Sequence, residues 1–114
     1  MTGRENAVAE IVAAEISREL DEDYVEMWKL PRRIREEWPD ATGHEVQAVA
    51  EIVLTMLVGA GARIGDIDWQ AEKFRPWPPV GAVGRAMDAW VRLGREPNMG
   101  DIGWLDKPAT DVPP

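Results

Sequence analysis

The sequence predicts an all-α fold: a small bundle of four to five helices around a central apolar helix at 43–59, with two irregular arms. Three observations lead there. Apolar residues recur at helical spacings of three and four along much of the chain. Thr42-Gly43-His44-Glu45 forms a capping-box pattern immediately before the most apolar stretch. Gly-Asp-Ile-x-Trp occurs at 65–69 and again at 100–104, each time after a helical stretch and a short turn.

The elements follow in order. Residues 5–20 read as a helix, with Val8, Ile11, Val12, Ile16 and Leu20 on one face. Tyr24, Val25, Trp28, Leu30, Ile34 and Trp38 continue the pattern, but Pro31 interrupts it. Proline costs little at the start of a helix and much inside one, so two short helices are expected, at 22–29 and 31–38. The 43–59 helix carries a stripe of Val46, Val49, Val53, Met56, Leu57 and Ala60. Ile52, Leu54 and Val58 lie on its other sides, the pattern of a helix buried nearly all round. Gly59 and Gly61 supply its stop.

Residues 62–78 are expected to be irregular, although Ile67 and Trp69 alternate with Asp66 and Asp68 and would share one face of a short extended segment. Arg75-Pro76-Trp77-Pro78-Pro79 reads as a stiff, polyproline-like passage. Pro79 then opens a last helix to 93, striped by Val80, Val83, Met87 and Trp90 and ended by Gly94. One helical domain over 1–105 and a Pro-rich, flexible tail over 106–114 complete the organisation.

Charge narrows the partners. Twenty-one acidic against thirteen basic residues give a net charge of −8, a field that repels phosphate backbones and anionic lipid and favours a cationic protein. Nucleic acid and membranes are therefore disfavoured. The chain has no cysteine and one histidine, His44, which excludes thiolate chemistry and any multi-histidine metal site. The N-terminal stretch lacks the apolar run of a signal peptide, and a cytoplasmic protein is expected.

No catalytic constellation emerges, and neither a cofactor nor a metal is expected. His44 lacks a nucleophile or an orienting partner in its sequence context. Asp66, Asp68 and Glu72 do not have the spacing of a calcium loop. The basic residues Lys29, Arg32, Arg33 and Arg35 are expected to pair along the helix with Glu26, Glu36 and Glu37.

Tryptophan is the unusual residue, supplying six of the eight aromatics. Trp28, Trp38 and Trp90 lie on helical stripes and are expected in the core. The two repeats are expected to fold back over the ends of their own helices, burying Ile and Trp, rather than to form a duplicated site. Trp77, held among prolines beside Arg75, is the best single contact candidate; the alternative is a ring laid over the central helix as a lid.

The residues singled out for partner binding are Arg75, Trp77, Trp69 and Trp104. The expected function is that of a small, acidic, non-enzymatic interaction module: an adaptor, inhibitor or accessory subunit that binds another protein or itself as a homodimer. The alternative is a small-ligand or metal-binding protein or enzyme with a pocket between the two arms, lined by Trp69, Trp104, Asp66 and Asp101.

Overall fold

The computed structural model of the chain describes residues 3–98 and 101–107. Its fold is mixed α/β, with four helices packed on one four-stranded antiparallel sheet, and this corrects the expectation of an all-α bundle. The elements are α1 (Gly3–Leu20), β1 (Val25–Glu26), α2 (Lys29–Glu37), α3 (Gly43–Gly59), β2 (Arg63–Asp68), β3 (Lys73–Pro76), α4 (Ala82–Leu93) and β4 (Trp104–Asp106). Strand order across the sheet is β1-β4-β2-β3.

The helical half follows the sequence closely. Thr42 Oγ1 accepts from the Glu45 amide and Glu45 returns the bond to the Thr42 amide, closing the capping box that starts α3. Gly61, at φ 106°, takes the left-handed turn that ends it. α3 buries Val46, Val49, Ala50, Val53, Leu54 and Leu57. Its opposite side is open, with Met56 39% exposed, so α3 is not enclosed all round. α1 packs its Val8, Val12, Ile16 and Leu20 face inward but leaves Ile11 outside it.

Three local expectations change. The segment expected as a helix at 22–29 is instead a turn and the short strand β1. Pro31 lies inside α2, at its third position, where the backbone N–H has no helical acceptor to lose. The last helix starts at Ala82 after Gly81, not at Pro79, and Val80 is 93% exposed rather than part of its buried stripe. The helix-surface pairing expected for the basic cluster is also replaced by tertiary pairs. Arg33 binds Glu19 and Glu15 of α1, and Arg35 binds Glu96 at 2.5 Å and the Ala41 carbonyl at 2.8 Å.

The sheet forms where irregular arms were expected. β2 and β3 pair through Gly65↔Pro76, Asp66↔Arg75, Ile67↔Phe74 and Asp68↔Lys73. Their turn is shaped by the Asp68 carboxylate, which accepts from the Gln70 and Ala71 amides, and by Glu72 at φ 53°. β4 inserts on the other side of β2, pairing Arg63↔Asp106, Ile64↔Leu105 and Gly65↔Trp104, and β1 adds Val25↔Leu105 and Glu26↔Trp104.

Strand alternation then sorts the side chains onto two faces. Val25, Ile64 and Leu105 are buried in the core shared with the helices. Glu26, Arg63, Ile67, Phe74, Trp104 and Asp106 point the other way. Asp106 belongs to β4; of the expected tail, 108–114 lies outside the described residues, as does Gly100 of the second repeat. No helix among the described residues is long and apolar enough to cross a membrane.

Candidate functional site

The two copies of Gly-Asp-Ile-x-Trp meet in the sheet, one against the other. Residues 65–68 of the first copy run straight through β2, while Trp104 of the second opens β4 and pairs with Gly65. This corrects the expectation that each copy folds back over its own helix. The copies also differ internally. Ile102 is buried in the core, whereas Ile67 is half-buried on the opposite face of the sheet.

Two glycines make this meeting possible. A Cβ at Gly65 would lie 2.7 Å from the Pro76 Cα, inside the backbone of β3. Gly103, at φ 113°, takes a conformation that side chains disfavour, and a Cβ there would sit 3.0 Å from the Gly65 carbonyl oxygen and 3.2 Å from the Trp77 ring.

The four residues singled out from sequence fall in three places. Trp69 and Trp104 are brought together: their ring centroids are 5.5 Å apart and nearly perpendicular, an edge-to-face pair. Trp104 is half-buried, and Trp69, at the start of the hairpin turn, is 67% exposed. Tyr24 stacks on Phe74 at 5.7 Å, and Arg63 lies over the same Phe74 ring while pairing with Asp106. The face of the sheet turned away from Val25, Ile64 and Leu105 is therefore rich in aromatic rings.

Trp77 stands apart from that pair. It points to the core side of the sheet, beside Ile64, whose carbonyl accepts its amide at 2.8 Å. Its indole N–H donates to Asp66 at 2.8 Å, and Arg85 lies over its ring at 4.0 Å. One edge lines a pocket of about 390 Å³, walled by Val58, Ala62, Ile64, Pro78, Pro79 and Ala82. Trp77 is thus a fastened wall on the core side of the sheet. Arg75 is exposed and holds Asp68 at 3.0 Å, bracing the hairpin.

The acidic residues expected to line a pocket between the arms are each engaged elsewhere. Asp66 binds Trp77, while Asp101 accepts from Arg95 at 2.9 Å and from the Asn98 amide at 2.7 Å. The Ala71 amide and then Arg75 hold the Asp68 carboxyl below its ordinary range, and the Asn98 amide and then Arg95 do the same for Asp101. Both carboxylates shape turns. Among the described residues no group of three His, Cys, Asp or Glu side chains could hold a metal ion, and His44 is exposed in the first turn of α3.

Sequence reasoning missed Tyr24, Glu26, Arg63 and Phe74 as members of the aromatic face. The available signal was the alternation in Arg63–Asp68 and Lys73–Pro76, which marks two half-buried strands. Comparison of the chain with protein-family models, curated proteins and solved structures finds no match.

Proposed function

We propose that this chain is a small, acidic, non-enzymatic protein-interaction module whose contact surface is the aromatic face of the sheet. The observation that carries the reading is Trp69: a tryptophan 67% exposed, propped on the edge of Trp104 on the face opposite the core. Leaving so large an apolar ring in water is unfavourable, and tryptophan dominates the centres of protein interfaces. The test compares the immobilised protein with Trp69→Ala and with Ile11→Ala, which truncates an exposed apolar residue on α1. A partner retained by wild type and Ile11→Ala but lost with Trp69→Ala is expected. Identical partners on all three would sink the reading.

One observation favours a second reading, a small-ligand binder. The pocket beside Trp77 is large enough for a small apolar molecule and already has a fixed wall. Small aromatic probes should then raise the melting temperature of wild type but not of Ala82→Leu, which fills the pocket. Equal shifts in both proteins, or none, would remove this reading.

A further inference from the structure

The proposed interaction face also indicates the chemistry of its partner, an inference that rests on the reading of that face as a contact surface. The chain uses one device repeatedly. Arg4 lies over Trp38 at 4.6 Å, Arg63 over Phe74 at 5.3 Å and Arg85 over Trp77 at 4.0 Å. Among the described residues no cation lies over Trp69 or Trp104, although Trp69 is the most exposed of the large apolar rings. A cation on such a ring gains from the negative face of its π system, and more so once water is displaced.

Glu26 adds a carboxylate at the same place. It stands directly across from Trp104 in the β1–β4 pairing, so the two side chains share a face. It makes no hydrogen bond or ion pair among the described residues, and its Oε2 is shielded from solvent without a partner. Nearby Asp106 is already engaged by Arg63. An aromatic pair without a cation and a carboxylate without a donor therefore adjoin, in a chain of net charge −8. A second copy of the chain would bring the same −8 and meet repulsion.

The edge of the sheet argues for docking onto the face, rather than strand addition. β3 is an edge strand and ends at Pro76, which has no N–H to offer, and Pro78 and Pro79 follow.

We propose that the face recognises a basic segment of a partner protein, one arginine of which stacks on the Trp69–Trp104 pair and binds Glu26. Arginine suits the site better than lysine because its planar guanidinium stacks on a ring while its N–H groups remain free for a carboxylate.

The probe is a fluorescein-labelled peptide of alternating glycine and arginine, with citrulline and lysine counterparts, followed by anisotropy at low salt. The arginine peptide should bind, the lysine peptide more weakly, and the neutral citrulline peptide at least about tenfold more weakly than the arginine peptide. Trp69→Ala should weaken arginine-peptide binding about tenfold through loss of the stacking surface. Glu26→Gln should weaken it about threefold, through loss of the charge-assisted bond to the half-buried carboxylate.

Glu51→Gln removes the same charge from the outer surface of α3 and should leave binding unchanged. Equal losses in Glu26→Gln and Glu51→Gln, undiminished binding by Trp69→Ala, or equal binding of the citrulline peptide would overturn the proposal. Circular dichroism checks that each variant folds; if Glu26→Gln does not, exposed Trp69→Ala still decides. A Trp69-dependent partner without a basic segment would leave the interaction reading standing and remove this one.

Discussion

The two faces of the sheet are built from the same strands yet obey different rules. On one, Val25, Ile64 and Leu105 enter a single core with the helices and leave almost no surface in water. On the other, Trp104, Phe74, Tyr24 and Trp69 contact one another or an arginine, and the last two remain exposed. The first face stabilises the fold through burial. The second covers Phe74 with Tyr24 and Arg63 but leaves Trp69 largely in water. Aromatic content alone therefore does not decide which rings are buried; what packs across each one does.

The largest expected effect tests the packed face. Leu105→Ala removes a fully buried side chain from the centre of the sheet and should cost about 2–5 kcal/mol in denaturant unfolding. A loss near zero would mean that β4 is not anchored in the core. Gly65→Ala comes next. Its new methyl would press into the β3 backbone, and a loss of about 1–3 kcal/mol is expected from overpacking. A neutral result would show that the β2–β3 seam is looser than its geometry.

Trp77→Phe keeps an aromatic ring but removes the bond to Asp66 and the outer ring edge beside Gly103, and should cost about 1 kcal/mol or somewhat more. Trp69→Ala should cost less than about 1 kcal/mol, since it loses only an exposed edge-to-face contact. If it destabilised the protein as much as Leu105→Ala, the contrast between the faces would collapse.

Acid gives the most local effect. The folded state holds Asp68 and Asp101 below their ordinary titration range, so their contribution is present above the unfolded value of about 3.9 and fades as pH falls through the lower folded values. Hydrogen exchange should show the Gln70, Ala71 and Asn98 amides losing protection below about pH 3.9 while those around Leu105 keep theirs. Uniform loss along the chain would argue against a local cause.

Legibility in the sequence divides along related lines. α1, α3 and most of α4 could be read because helical periodicity and caps are local: Thr42 and Glu45 are three residues apart, and Gly94 adjoins the helix it ends. The hairpin at 63–76 was harder, because its turn, Trp69-Gln70-Ala71-Glu72, lacks the usual glycine or asparagine. The Asp68 side chain and a positive φ at Glu72 shape that turn instead. β1 and β4 are shorter still and become strands only because β4 pairs with both β1 and β2. The Trp69–Trp104 contact was legible only as a suspicion, since nothing local distinguishes a buried ring from one left in water.

The sequence by itself determined the acidic field, most of the helical frame and which residues carry rings, because charge, periodicity and capping act over a few residues. Tertiary structure alone decided that the first pentapeptide runs through β2 while Trp104 of the second opens the neighbouring β4, that Trp77 is tied to Asp66 and Arg85, and that Trp69 and Trp104 meet on the face opposite the core. The reason is the range of the forces involved. A strand's hydrogen bonds come from distant parts of the chain, and the face that is buried depends on what packs across it.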